Sequence, residues 1–228
     1  MEILGMEKVS FVDYENKICA TLFTGGCNFS CPFCHNSGVV NKDYEHYSEE
    51  EILDYLKGRT KLLDAVTISG GEPTLQPDLK EFIKKVRALG YSIKLDTNGT
   101  RPEILKDLLD NNLLNYVAMD IKNNFDSYSP ICGVPNYSAE KVRESLKLLQ
   151  KSNVPYELRT TLVSEYHSNE NIEKLAKDLS GEKTLYLQKF VSKDTCFDKN
   201  LHEVTKNLAT EFKEKLSKEI GNVLLRGY

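Results

Sequence analysis

Apolar and polar positions along this chain keep two rhythms, one of period two and one near 3.6, and the two take turns. Near the start, Val9, Phe11 and Val12, a polar turn at 14–17 and an apolar run over 18–23 predict a hairpin across residues 8–24. The helical rhythm follows. Ile52, Leu53, Leu56 and Leu63 mark the buried face of a helix over 49–63, with Ser48 as N-cap and Glu51 as its capping-box partner. A short apolar strand at 65–69 leads to a helix over 78–89, whose Leu79, Phe82, Ile83, Val86 and Leu89 share one face and which Gly90 ends. A strand at 92–95 precedes a helix opened by Pro102, with Ile104, Leu105, Leu108 and Leu109 inward. The rest reads as a strand at 116–121, a loop over 123–137, a helix at 139–152 and a strand at 156–163. A helix at 169–180, a strand at 184–191, a helix at 201–219 and a short strand at 223–226 complete the chain.

Alternation of this kind predicts parallel strands joined by right-handed crossovers. Counted from the run at 18–23, there are six strand–helix units. A closed eight-unit barrel takes roughly 250 residues. The 228 residues here predict a partial (β/α)6 TIM-like barrel, an α/β fold with an N-terminal hairpin. An open doubly wound sheet satisfies the same pattern. No low-complexity stretch or linker interrupts the chain, so residues 1–228 read as a single domain.

Composition narrows the function classes. Apolar residues make up 40% and charged residues 28%, which argues against disorder. The net charge of -4 gives no support to nucleic-acid binding. Glu2, Glu7 and Lys8 interrupt any signal-peptide-like start, and no later run approaches the roughly 18 apolar residues of a membrane helix. The expectation is a soluble cytoplasmic protein without a membrane partner.

Six cysteines are present, and three of them, Cys27, Cys31 and Cys34, fall within eight positions. Cys19, Cys132 and Cys196 stand apart and read as packed or surface thiols. The crowded three lie in Gly25-Gly26-Cys27-Asn28-Phe29-Ser30-Cys31-Pro32-Phe33-Cys34-His35-Asn36, a loop at the C-terminal end of the first parallel strand. Active sites of such folds sit at that end. Thiolates suit iron–sulfur clusters and zinc alike. A structural zinc takes four protein ligands, and His35 is too close a neighbour of Cys34 to be a comfortable fourth. A [4Fe–4S] cluster held by three cysteines leaves one iron open to a ligand. The cysteines alone favour a cluster and leave a non-catalytic zinc module as the alternative.

Polar residues gather at the ends of the following strands. Ser69-Gly70-Gly71-Glu72-Pro73 closes the second, and its paired glycines allow close backbone approach. Asp96-Thr97-Asn98-Gly99 closes the third, where Asn-Gly is also a common turn pair. Asp120 and Lys122 end the fourth on one face, as a functional pair or a surface ion pair. Arg159, within the fifth strand, needs an anionic partner, either a ligand carboxylate or a structural one. Gln188 lies on the sixth.

Cys-x-x-x-Cys-x-x-Cys with an aromatic before the last cysteine, followed by Gly-Gly-Glu-Pro on the next strand, resembles the radical S-adenosylmethionine (SAM) superfamily. The resemblance implies a [4Fe–4S] cluster on Cys27, Cys31 and Cys34, with SAM chelating the open iron. It implies that the turn at Gly70, Gly71 and Glu72 receives the SAM amino group, and that Asp96 and Asn98 border SAM. Asp120-x-Lys122 is similar to a segment of glycyl-radical activating enzymes, with Lys122 pairing to the SAM carboxylate, a role Arg159 also suits. Phe33 and His35 flank Cys34 in the cofactor-binding set. Phe33 lends backbone contacts to the adenine; His35, like Asn36, shapes the loop and is not an acid or base. Gln188 completes the set.

The similarity to glycyl-radical activating enzymes covers nearly the whole chain, including the Cys34-His35-Asn36 run and Ile131-Cys132-Gly133. Within that group the chain looks most like activating proteins of anaerobic ribonucleoside-triphosphate reductase. It departs from the pyruvate formate-lyase branch: Leu187-Gln188-Lys189-Phe190-Val191 has no histidine after the sixth strand. The implied partners are a glycyl-radical protein, expected to be that reductase, and a flavodoxin or ferredoxin-type electron donor. The loop at 123–137 is expected to border the opening for the partner's glycine. A radical SAM enzyme of a small molecule, such as the 7-carboxy-7-deazaguanine synthases, shares the short chain and the three-cysteine loop.

Overall fold

The computed structural model describes residues 1–38 and 46–228. Its fold class is α/β, with eight strands in one mixed sheet that follow one another in chain order. Strand β1 (Ile3–Ser10) pairs antiparallel with β2 (Cys19–Thr24). Strands β2, β3 (Ala65–Gly70) and β4 (Ser92–Thr97) are parallel neighbours. So are β6 (Tyr156–Leu162), β7 (Thr184–Lys189) and β8 (Asn222–Arg226). Strand β5 is Tyr116–Asp120. An N-terminal hairpin followed by parallel strands is the class that the alternating pattern predicts.

The chain forms two compact units, each assembled from three segments. One comprises Met1–Asn28, Gly38–Ala118 and Glu144–Tyr156. Its helices are α1 (Glu49–Lys57), α2 (Leu79–Ala88) and α3 (Pro102–Asp110). Ala20 and Leu22 of β2, Val66 and Ile68 of β3 and Ile93 and Leu95 of β4 are fully buried, as are Ile52, Leu56, Phe82 and Ile83 from the helices. All four residues 65–68 are buried, as in a strand covered on both faces. This is why the strand reads as an apolar run without alternation.

The other unit comprises Phe29–Ser37, Met119–Arg143 and Glu157–Tyr228. It holds the short helix α4 (Tyr128–Cys132), then α6 (Asn169–Asp178) and α7 (Lys206–Leu216). Helix α5 (Glu140–Lys151) begins in this unit and ends in the other. Leu158, Leu185 and Leu187 from the strands are fully buried, as are Ile172, Leu175 and Leu216 from the helices.

Several boundaries differ from the sequence reading. The first strand begins at Ile3; Phe11 and Val12 lie outside it and are largely exposed. Ile3 and Leu4 supply the burial instead. Helix α1 stops at Lys57, six positions before the buried Leu63 that extended the apolar stripe. Its N-terminus is as read: Ser48 and Glu51 form a reciprocal capping box. The expected loop at 123–137 contains a 3-10 turn, Phe125–Ser127, and helix α4. The last helix begins after the Thr205 N-cap, because residues just before it bond to the end of β6, through a bridge from Val163 to Glu203 and a Ser164 N–H to His202 carbonyl bond of 3.0 Å.

Candidate functional site

In the first unit the ends of β2 and β3 stay paired past the strands. The Gly71 N–H donates to the Thr24 carbonyl at 2.9 Å, and the Glu72 N–H to the Gly26 carbonyl at 2.9 Å. A Cβ on Gly71 would stand 1.8 Å from the Gly26 oxygen, and one on Gly70 2.3 Å from the Thr24 nitrogen. Gly70 also has φ +117°, a region that glycine alone adopts without strain. The paired glycines are thus required by the approach of the turn to the segment that opens the cysteine loop.

Glu72 is fully buried, and its carboxylate accepts from four neutral donors. These are the Thr74 N–H at 3.1 Å, the Thr74 hydroxyl, the Thr97 hydroxyl at 2.8 Å and the Asn98 N–H at 2.6 Å. Burial pushes its carboxyl above the usual range, and these bonds pull the other way. The glutamate therefore ties the Gly-Gly turn to the end of β4. Asn98 carries the linkage onward. Its side-chain amide donates to the Asn28 side-chain oxygen at 3.0 Å and lies 3.9 Å from the Cys27 sulfur. Asp96 accepts from the Ser69 hydroxyl at 3.0 Å and faces the buried Lys94 ammonium at 3.6 Å.

In the second unit Cys31 and Cys34 are joined by a tight turn, the Cys34 N–H donating to the Cys31 carbonyl at 2.9 Å. The stretch around them is tied down at several points. The Ser30 N–H donates to the Cys132 carbonyl at 3.0 Å, the Asp198 N–H to the Pro32 carbonyl at 2.9 Å, and the Ser37 hydroxyl to the Thr195 carbonyl. Gly133, at φ +69°, lets helix α4 end against the loop; a Cβ there would stand 2.1 Å from the Ser30 oxygen. Phe33 meets Phe190 edge-on at 6.4 Å, and His35 stacks on the same ring at 5.6 Å. Burial lowers the His35 pKa, against a hydrogen bond to the Val191 main chain that raises it. The Cys196 thiol reaches the Phe33 carbonyl at 3.8 Å, so this cysteine packs against the loop.

The same unit holds an ion triad. Asp120 takes Lys122 Nζ on one oxygen and Arg159 Nε on the other, both at 2.9 Å. Burial alone would raise the Asp120 carboxyl, but the two cations outweigh it and bring it down to about 2. Burial works against the Lys122 charge, and Asp120 outweighs it, raising the ammonium above its usual range. Lys122 Nζ also stands 5.7 Å from the centre of the Phe33 ring. The structural carboxylate weighed for Arg159 is thus Asp120. Gln188 lies on β7, level with Thr161 of β6 and Arg226 of β8.

All six cysteines are free thiols. The donor set suits an iron–sulfur cluster: three thiols in one loop with no carboxylate between them, and an amide N–H directed at one sulfur. Among the described residues no three His, Cys, Asp or Glu side chains are grouped to hold a metal ion. A cubane spreads its thiolates over separate irons and needs no such group on one ion.

The family model described as the Radical SAM superfamily matches residues 21–179. The chain belongs to the radical SAM superfamily. It is a radical SAM enzyme, and membership implies a [4Fe–4S] cluster and SAM. A relative from Methanocaldococcus jannaschii, provisionally named a glycyl-radical enzyme activating enzyme, is 35% identical over 98% of this chain and 95% of its own length. Among solved structures, Streptococcus suis SuiB bound to S-adenosylmethionine aligns with a TM-score of 0.66 at 14% identity, over 89% of this chain and 48% of that one. Native anSMEcpe with bound AdoMet aligns with a TM-score of 0.61 at 21% identity, over 89% of this chain and 61% of that one. At these identities the likeness is one of fold. The radical SAM chain thus spans about half to three fifths of those larger proteins. No helix among its described residues is long and apolar enough to cross a membrane.

Two buried residues escaped the sequence reading. Tyr128 and His167 both bond to the main chain beside the Asp120 triad. No motif names them. Tyr128 lies in a helix too short to show periodicity, and His167 follows the fifth parallel strand as an isolated histidine.

Proposed function

We propose that this radical SAM enzyme activates a glycyl-radical protein, the anaerobic ribonucleoside-triphosphate reductase. Cys27, Cys31 and Cys34 ligate its [4Fe–4S] cluster. The observation that carries the glycyl-radical reading is the loop of three free cysteines, tied down on both sides, in a chain whose near-full-length relative is provisionally named a glycyl-radical enzyme activating enzyme; the choice of reductase rests on the sequence resemblance. When bound, the cluster and SAM would supply the one-electron chemistry needed to take a hydrogen atom from the Cα of one glycine of the partner.

The chain's own residues bind and orient. The main chain of the turn at Gly70 and Gly71 receives the SAM amino group. Glu72, with its carboxylate committed to Thr74, Thr97 and Asn98, holds that turn in place. Lys122 receives the SAM carboxylate, assisted by Arg159. An ammonium has three N–H donors, and Asp120 takes one. Asp96, Asn98 and Gln188 border the ligand, Phe33 offers its main chain to the adenine, and His35 shapes the loop. Electrons arrive from a flavodoxin or ferredoxin-type protein. Residues 1–228 act as one radical SAM domain in the cytoplasm, with no nucleic-acid or membrane partner.

The test is anaerobic reconstitution with iron and sulfide, reduction, and mixing with SAM and the candidate reductase. The expected result is 5′-deoxyadenosine together with a glycyl doublet in the EPR spectrum of the reductase. An intact cluster that cleaves SAM but leaves the reductase silent overturns the partner. SAM cleavage stimulated by a pterin substrate instead favours the small-molecule reading.

A further inference from the structure

Lys122 lies two residues beyond the end of β5, where ladder hydrogen bonds stop. Its main chain is nevertheless held on both sides. The Lys122 N–H donates to the Tyr128 hydroxyl oxygen at 3.0 Å, and the Lys122 carbonyl lies 3.0 Å from His167 Nε2. The Tyr128 hydroxyl in turn donates to the Asp120 carbonyl at 3.4 Å. Between them, the Ile121 N–H donates to the Arg159 carbonyl and the Ile121 carbonyl accepts from the Thr160 hydroxyl, both at 2.8 Å. From the Asp120 carbonyl to the Lys122 carbonyl, every main-chain polar atom has a partner.

The two holding side chains come from different places, α4 and the turn after β6, and both are essentially inaccessible to water. Nδ1 stands between the Val163 N–H at 3.0 Å, which can only donate, and the Val163 carbonyl at 3.1 Å, which can only accept, whereas Nε2 faces the Lys122 carbonyl alone. The Lys122 contact is a hydrogen bond in the form that carries its proton on Nε2. Burial lowers the His167 pKa, which keeps the ring neutral and this pattern intact.

A lysine on a free loop points its flexible stem in many directions. One whose peptide is pinned at both ends has a fixed root, and Asp120 and the Phe33 ring then define where its ammonium stands. We infer that Tyr128 and His167 are positioning residues for SAM binding: they clamp the Lys122 peptide so that its ammonium is held ready for the SAM carboxylate. This rests on the reading that Lys122 receives that carboxylate.

The experiment measures SAM affinity by equilibrium binding to anaerobic, cluster-loaded enzyme, with iron content and urea midpoint recorded for each variant. Lys122→Met is expected to weaken binding about tenfold or more, as for loss of a charge-assisted contact. Tyr128→Phe and His167→Leu are each expected to weaken it about threefold to tenfold, the range of one ordinary hydrogen bond. His167→Gln, which keeps an N–H near the Nε2 position, recovers part of the loss. Combined with Lys122→Met, both effects shrink toward unity, because the clamp acts through that lysine. If Lys122→Met leaves affinity unchanged, the role given to Lys122 fails and the inference falls with it. If Lys122→Met weakens binding but Tyr128→Phe does not, or does so equally with and without Lys122→Met, the clamp alone is overturned. Tyr128→Phe keeps the ring, so it tests the clamp even if His167→Leu fails to fold.

Discussion

Asp120 is a partly exposed carboxylate and Glu72 a fully buried one, and their protons are held in opposite ways. Glu72 has four neutral donors and no cation among its bonds, so burial dominates and raises its pKa. Asp120 has Arg159 and Lys122, and their charges outweigh burial. In the folded chain Asp120 is held at about 2, below its ordinary carboxylate range. The unfolded chain therefore takes up this proton first as pH falls. The stabilisation is complete above roughly pH 4 and is lost as the solution approaches pH 2, an amount of about 2 kcal/mol. Asp120→Asn should remove that part of the acid sensitivity. At neutral pH it should lower stability by about 2 to 3 kcal/mol, because two cations lose their counter-charge. Urea unfolding of both proteins from neutral to acid pH checks this. An unchanged acid slope in the variant would show that Asp120 is not the titrating group.

Among the elements, helix α4 shows why part of the site was hidden in the sequence. Its five residues are too few for a 3.6 rhythm, and the stretch read as a loop. Yet it supplies Tyr128, and the Gly133 that follows it lets the Cys132 carbonyl reach Ser30. The resemblance at Ile131-Cys132-Gly133 marked the place without its reason, which is the 2.1 Å a Cβ would leave to the Ser30 oxygen. Gly133→Ala should cost more than about 1 kcal/mol, since strain at positive φ adds to the overlap. It should also speed hydrogen exchange at the Ser30 amide; unaltered protection there would mean that the contact does not secure the loop. By contrast, strand and helix order, the Ser48–Glu51 box and the Gly90 stop were legible, because each is written in local residue chemistry. Ends that depend on distant partners were not. The start of α7 is set by bonds to the stretch after β6 that periodicity cannot register.

For the molecule as a whole, the way the chain threads its two compact units matters. Each unit is made of three separated segments, so no single cut releases either one intact. In the first, the segment Glu144–Tyr156 contributes the buried Ser145, Leu146 and Leu149. The Ser145 hydroxyl donates to the Gly99 carbonyl at 2.7 Å, and the Val117 N–H to the Pro155 carbonyl at 3.1 Å. A fragment ending at Ala118 should therefore show no cooperative urea transition, whereas the full chain should; a sharp transition in the fragment would refute this. The contact of Gly71 with Gly26 carries a related lesson for protein engineers. The three-cysteine loop is not a portable cassette: moved to another scaffold without its glycine turn, it would meet a methyl group where its own carbonyl must lie. The two stretches must be transplanted, or diversified in a library, as a matched set.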